Sequence, residues 1–264
     1  MRARLDGAVV AVTGAAGGMG KSHCVRMAEE GADIVAIDLA GIDLDSVVDA
    51  VSRTGRRCVS AVADVCDRAA MAEAMASAVQ TFGPLTAVVA NAGVYDTPGP
   101  AWAVATADWQ RALDVNVTGA WNTVSAAVPH LADGGSVVII ASTAGTRAIA
   151  TAAPYSAAKH AVIGLARTLA NELGGRGIRV NTVQPGSVRT PMIINPQVFA
   201  RLCPDIAEPT EADAAAVLAA RNILPVPWVD PVDVSNAVVF LVSDESRYMT
   251  GTCVPVDAGL TEKV

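Results

Sequence analysis

Val9-Val10-Ala11-Val12-Thr13-Gly14-Ala15-Ala16-Gly17-Gly18-Met19-Gly20 is the stretch on which the fold turns. Its first five residues are small or β-branched and read as a buried strand over 9–13. Residues 21–30 then read as a helix. Between them the glycines are spaced T-G-x-x-x-G-x-G. Gly14 permits a tight turn off the strand, Gly18 lets backbone approach a phosphate, and Gly20 lets the helix pack closely. The free N–H groups and positive dipole end of that helix then face an anion, with Met19 on the same turn.

Asp38 ends the next apolar run, 34–38. A carboxylate there accepts both hydroxyls of an adenosine ribose and repels a 2′-phosphate. Leu39 and Ala40 supply no arginine for such a phosphate, so the pattern points to NAD rather than NADP. The plainer role for Asp38 is a loop or helix cap.

Outward from this start, short β-branched runs alternate with longer Ala-rich segments. Strands are expected at 58–63, 86–90, 136–141 and 179–183. Helices are expected at 45–53, 69–82, 108–132 and 154–173. Apolar runs without alternation predict burial on both faces. Strand–helix repetition predicts an α/β fold, a doubly wound parallel sheet with right-handed crossovers. Nothing in composition divides the 264 residues, so a single domain over 1–264 is expected. Residues 189–230 differ. They carry six prolines and one helical stretch at 212–222, and read as a lid over one end of the sheet.

Composition excludes several classes. At 52% hydrophobic and 17% charged, the chain is not disordered. A net charge of −7 gives no basic footprint for nucleic acid or anionic membrane. No apolar run is long enough to span a bilayer. Five scattered cysteines without a CxxC fit a reducing cytoplasm, and three histidines show no metal-ligand spacing. The apolar start resembles a secretory leader, but Asp6 and the glycines interrupt it.

Tyr155-Ser156-Ala157-Ala158-Lys159 opens a helix and puts Tyr155 and Lys159 one turn apart on one face. With three tyrosines and three lysines in the chain, chance seldom produces this spacing. An ammonium beside a phenol favours the phenolate, making tyrosine a usable proton carrier. The plainer alternative is a packed Tyr and a solvated Lys. Ser142 follows a strand at its carboxyl end, where such sheets bind ligands, and can hold a reacting oxygen. Asn116 falls mid-helix, where asparagine is unfavourable or simply faces solvent.

These residues resemble the short-chain dehydrogenase/reductase family over essentially the whole chain. The matching pieces are Gly14/Gly18/Gly20, Asp64-Val65, Asn91-Ala92-Gly93, Asn116, Ser142, Tyr155-x-x-x-Lys159, Pro185-Gly186 and Val188-x-Thr190. The resemblance implies a seven-stranded Rossmann-type domain that moves hydride between a secondary alcohol or ketone and NAD. It implies Tyr155 as acid/base, Lys159 lowering its pKa and holding the nicotinamide ribose, Ser142 orienting the substrate oxygen, and Asn116 anchoring a relay water. It places Asp64 and Val65 at the adenine, Asn91 with Ala92 and Gly93 along the cofactor, and Pro185, Gly186, Val188 and Thr190 near the nicotinamide. It also implies a homotetramer through the two long helices.

A narrower resemblance runs through Trp121-Asn122-Thr123, Ala170-Asn171-Glu172-Leu173, Pro227-Trp228 and the stretch from Ser243 to Gly251. It is to the mycofactocin-coupled, carveol-dehydrogenase-like subgroup, which implies mycofactocin as electron acceptor and an apolar cyclic alcohol as substrate. Met192, Phe199 and Trp228 are the apolar lid candidates for contacting it; the alternative is that they pack the lid's own small core. Two other readings stand beside this one, an NADPH-dependent 3-oxoacyl reductase and a catalytically idle NAD-sensing scaffold. Asp38 argues against the first, and the Asn116/Ser142/Tyr155/Lys159 set against the second.

Overall fold

A computed structural model describes residues 3–96 and 99–264. Seven strands form one parallel sheet in the order β3-β2-β1-β4-β5-β6-β7. In chain order the first half is β1 (Val9–Thr13), α1 (Gly18–Glu29), β2 (Asp33–Asp38), α2 (Asp45–Ser52), β3 (Cys58–Val62), α3 (Arg68–Phe82) and β4 (Leu85–Ala90). After it come α4 (Thr106–Leu113), α5 (Gly119–Ala127), β5 (Leu131–Ile140), α6 (Ala153–Leu173) and β6 (Arg179–Pro185). The chain ends with α7 (Pro196–Leu202), α8 (Glu211–Arg221), α9 (Pro231–Val242) and β7 (Cys253–Val256).

β1 and β6 are buried end to end, as expected of β-branched runs covered on both faces. Each fully buried valine there contributes roughly 1.5–3 kcal/mol. α3, α5 and α6 cover one face, and α1, α2 and α9 the other. β3 departs from the expected double burial. It is the sheet's edge, and Val62 at its end is 64% exposed.

Strand order reverses between β1 and β4, which lie side by side. Loops leaving their carboxyl ends therefore diverge to opposite sides and open a crevice, the usual ligand position in such sheets. The loops after β5 and β6 reach the same edge.

The helix expected over 108–132 is not continuous. α4 and α5 are joined by a π-helical turn, Asp114–Thr118, in which the Gly119 N–H donates to the Asp114 carbonyl, five residues back. Residues 128–130 are a short 3₁₀ turn, and β5 already begins at Leu131. In the lid, α8 matches the expected helix at 212–222 within a residue, while α7 had no sequence counterpart.

Candidate active site

α1 begins at Gly18, three residues earlier than expected, so Gly18 and Gly20 lie in its first turn. Its N-cap is Gly17, and no side chain caps it. The first-turn N–H groups thus have no protein oxygen in front of them, which is the arrangement a phosphate completes. Each of three glycines is required sterically. Gly14 has φ +63° and lies against Ala92. A Cβ on Gly20 would stand 1.9 Å from the Gly14 carbonyl oxygen, so this glycine closes α1 onto its own loop. A Cβ on Gly18 would stand 2.7 Å from the Thr190 methyl group, so Gly18 is where the start of the lid rests on the loop.

Side chains from neighbouring strands fix this loop. Asn91, just past β4, donates through Nδ2 to the carbonyls of Thr13 (3.0 Å) and Gly14 (3.1 Å). Asp38 accepts the Ala16 N–H through Oδ2 (2.9 Å) and the Leu39 N–H through Oδ1 (2.9 Å). It is therefore a loop cap as well as an acid facing the crevice. Asp64 accepts the Cys66 N–H at 2.8 Å, which turns the chain at the end of β3.

Asn116 sits in the π turn, buried. Its Oδ1 accepts the Val94 N–H (3.2 Å), and its Nδ2 donates to the carbonyls of Val94 (3.1 Å) and Ala112 (2.9 Å). The side chain thus clamps the 91–94 loop to the helix. Gly93 passes through the clamp, and a Cβ there would stand 2.8 Å from Asn116 Oδ1 and 3.6 Å from Lys159 Nζ.

Ser142 follows β5 in extended conformation, and its Oγ accepts the Ala144 N–H (3.1 Å). Gly145 ends this turn where a Cβ would strike Ile163 and the Lys159 carbonyl, so Ser142 is held hard against α6. From α6, the buried Lys159 donates through Nζ to the Ile140 carbonyl (2.8 Å). One turn earlier, Tyr155 places its ring centre 5.6 Å from that Nζ.

The electrostatics differ from the expectation drawn from spacing. Burial pushes the Tyr155 phenol up to about 12, and a hydrogen bond with Ser142 offsets only part of this. Burial pulls Lys159 down to about 8. Desolvation thus outweighs the ammonium's pull on the phenol, and Tyr155 holds its proton at neutral pH.

Residues 14–261 match the family described as enoyl-(acyl carrier protein) reductase. A (-)-trans-carveol dehydrogenase of Rhodococcus erythropolis is 41% identical over 276 aligned positions, covering 99% of this chain and all of that one. The crystal structure of a carveol dehydrogenase from Mycobacterium avium in complex with NAD superposes with a TM-score of 0.96 at 45% identity, covering 99% of this chain and 100% of that one. A short-chain dehydrogenase from Mycobacterium paratuberculosis bound to NAD gives 0.88 at 38%, covering 98% and 100%.

The chain belongs to the short-chain dehydrogenase/reductase family.

Two cavities of this dehydrogenase meet beside the Ser142–Tyr155 pair. One, of about 610 Å³, runs from Asp38 and Asp64-Val65 past Gly14, Gly18 and Gly20 to Asn91, Ala92 and Gly93. The other, of about 690 Å³, is lined by Ser142, Tyr155, Pro185, Gly186 and Val188. Met19, Thr190 and Met192 line both. All the expected cofactor residues therefore fall along one continuous crevice, apart from Lys159, which lies behind Tyr155.

The lid over this dehydrogenase's second cavity leaves and returns at one point, where Val188 pairs with Val229 as a parallel bridge. Of its three expected substrate contacts only Met192 faces the cavity. Phe199 is buried in a lid core with Val198, Leu202, Cys203, Ala214 and Leu218, and Trp228 packs against that core under the Arg189 guanidinium. The lid is thick enough to need a core of its own, and its largest rings fill it. Sequence reasoning missed Tyr95, whose ring meets that of Tyr155 edge-on at 4.7 Å and 73°. It is one of three tyrosines and follows Asn91-Ala92-Gly93 closely, which was the available signal. Among the described residues no helix is long and apolar enough to cross a membrane, and no cluster of three metal-ligating side chains occurs.

Proposed function

We propose that this dehydrogenase interconverts a secondary alcohol and its ketone, with NAD as the hydride carrier. One observation carries the reading. Ser142, Tyr155 and Lys159 converge at the carboxyl end of β5, beside a glycine cradle that leads to Asp38. The residues fit NAD along its length. The uncapped first turn of α1 suits the pyrophosphate, Asp38 suits unsubstituted ribose hydroxyls, and the joint between the cavities suits the nicotinamide. When bound, NAD supplies the carbon that takes or gives the hydride.

The chain's own residues handle the oxygen. Ser142 and Tyr155 both face the cavity and hold the substrate oxygen between two hydroxyls. In the reducing direction Tyr155, protonated at neutral pH, gives its proton to that oxygen. In the oxidising direction it takes the proton back, and the nearby Lys159 charge stabilises the phenolate. Asn116 acts through backbone, since its amide is fully committed to Val94 and Ala112; it positions the 91–94 loop beside Lys159. A fixed Asp38 carboxylate disfavours the NADPH-dependent 3-oxoacyl reductase reading, and the assembled hydroxyl pair disfavours an idle scaffold.

Ile149, Met192, Ile193, Val198, Leu202 and Leu218 give the cavity an apolar wall. This supports a substrate with an apolar, ring-containing body. Thr190 and Met192 belong to both cavities, so a lid seated on the substrate also covers the cofactor. That supports slow cofactor release and recycling in place by mycofactocin. The protein assembles as a homotetramer through α4–α5 and α6 and works in the cytoplasm. The decisive assay is a panel of cyclic secondary alcohols with an artificial electron acceptor, run on protein purified without added cofactor. Turnover that falls at least about a hundredfold in Tyr155→Phe, with cofactor affinity retained, is expected. A near-normal kcat in that variant refutes the catalytic assignment. Ready steady-state reduction of added free NAD refutes permanent retention.

A further inference from the structure

Seven arginines of this chain have an acidic partner among the described residues. Arg4, Arg26, Arg56, Arg57, Arg111, Arg176 and Arg189 each meet an Asp or Glu within ion-pair distance. The substrate cavity holds none of these pairs. Its wall holds Arg147, Arg201, Arg221 and Lys263, and no Asp or Glu side chain among the described residues lines it. Two of the four cations are committed to backbone. Arg147 donates to the Leu260 carbonyl, and Lys263 to those of Ala220 (2.6 Å) and Asn222 (2.8 Å). Arg201 and Arg221 are not, and neither has an ion-pair partner among the described residues.

Arg201 projects from α7 into the middle of the site. Its guanidinium carbon lies 5.4 Å from the Tyr95 ring centre. Its Nε is buried and has no hydrogen-bond partner. A buried guanidinium N–H without an acceptor is costly, and it leaves Arg201 short of partners within the chain. Arg221 reaches the same cavity from α8, and its charge is felt at Tyr95. The Tyr95 ring in turn touches Tyr155. Arg201 therefore stands across the Tyr95 ring from the proton carrier, and the exposed Arg221 belongs to the same cavity wall.

We infer that the substrate carries a carboxylate, which Arg201 and Arg221 bind while the hydroxyl or keto group at the other end of its apolar body meets Ser142 and Tyr155. The planar fork of Arg201 matches the two oxygens of a carboxylate. The inference rests on the oxidoreductase reading for where the reacting carbon sits, and adds the charge of the opposite end.

The test compares 3-hydroxycyclohexanecarboxylate with its methyl ester, in the NAD-retaining protein with an artificial acceptor. The parent should show the higher kcat/KM for the acid, with KM for the acid alone rising with ionic strength. Arg201→Met and Arg221→Met should each lower the acid-to-ester ratio of kcat/KM by about tenfold to a hundredfold, the loss expected for a hydrogen bond to a charged group. Arg201→Lys should restore part of it. Tyr155→Phe should abolish turnover of both compounds, and so reports on the catalytic reading separately. Equal use of acid and ester, with a ratio unmoved by either arginine variant, overturns the inference while leaving the oxidoreductase reading intact. If neither compound is turned over, calorimetric titration of the acid into the NAD-loaded protein decides: binding that does not depend on Arg201 overturns it. If the variants melt early or lose NADH binding, the salt dependence of the parent decides, and a KM for the acid indifferent to salt overturns it.

Discussion

Replacing Gly20 with alanine puts a methyl carbon 1.9 Å from the Gly14 carbonyl oxygen, 2.8 Å from its carbonyl carbon and 2.9 Å from the Ala15 Cα. All three are backbone atoms, so no rotamer relieves the overlap. The loop and α1 must part by more than an ångström. The Gly14 carbonyl also accepts from Asn91 Nδ2 at 3.1 Å and from the Gly17 N–H at 3.3 Å, and both bonds are lost or stretched when it moves. Overpacking of this kind costs about 1–3 kcal/mol, which in a chain of this size lowers Tm by roughly 4–8 °C at the middle of the range. The larger effect falls on the cofactor. The first-turn N–H groups of α1 are displaced from the phosphates they face, and each charge-assisted hydrogen bond so lost is worth about 1.5–3 kcal/mol, or tenfold to more than a hundredfold in affinity. Gly17→Ala is the internal control. Its added Cβ meets only the Gly14 oxygen at 3.4 Å, an ordinary contact, and Gly17 has a negative φ of −68° that alanine adopts freely. Fluorescence titration with NADH and a thermal melt on both variants check the argument. Gly20→Ala should lose binding and Gly17→Ala should keep it within a few-fold. Normal NADH affinity in Gly20→Ala refutes the cradle as described.

Three other outcomes are expected. The parent should bind NADH at least about tenfold more tightly than NADPH, since the 2′-phosphate meets Asp38, and Asp38→Ala should narrow the gap while weakening both, because the Ala16 N–H loses its acceptor; tighter NADPH binding by the parent refutes this. Lys159 is protonated below about 10.5 in the unfolded chain but only below about 8 when folded, so its burial lowers stability as pH falls across that window and restores it as pH rises, by up to about 3 kcal/mol. Cys24 and Cys58, raised by burial, act in the opposite sense, so the measurement is the difference between the parent and Lys159→Met in denaturant melts from pH 8 to 10.5; parallel curves refute it. On α6, Gly164 faces open space in the single chain, so Gly164→Leu should leave the fold intact and, by crowding the proposed tetramer contact, shift light-scattering mass downward; an unchanged mass shows that the contact lies elsewhere.

What was legible in the sequence is what chain-local chemistry controls. β1 was read to the residue because five consecutive small or β-branched positions admit little else, and the Gly14–Gly20 spacing carries its own stereochemistry. Asn116 was legible as an anomaly but not as a clamp, because one of its two partners, Val94, is 22 residues away and meets it only after α4 packs. The π turn was illegible for the same reason: Asp114–Thr118 contains no breaker, and the tertiary contact imposes the extra residue. Phe199 and Trp228 follow the second of the two readings left open for them, the lid's own core, because apolarity reports burial without saying in which core. The Tyr155 pKa was misjudged because spacing reveals a neighbouring charge but not the depth of both groups. Arg201 and Arg221 were passed over, since an unpaired arginine shows itself only when the absence of acids around it is visible.

The Val188–Val229 bridge ties off residues 189–228 like the neck of a bag. The two ends of that excursion are held by the hydrogen bonds Arg189 N–H to Val229 O and Val229 N–H to Ser187 O, and its interior is tied down where the Ile223 and Leu224 N–H groups donate to the Ala258 carbonyl. Closing a longer bag at a fixed neck is cheap, about 0.6 kcal/mol for each doubling of its length. The bag also brings its own stuffing, the core around Phe199. Away from the contacts at Thr190, Arg201 and 220–224, length and composition inside the neck are thus only loosely coupled to the folding of the hydride-transfer scaffold. The segment is a natural cassette, and a graft cut at 188 and 229 should transplant the taste of one such enzyme onto the machinery of another.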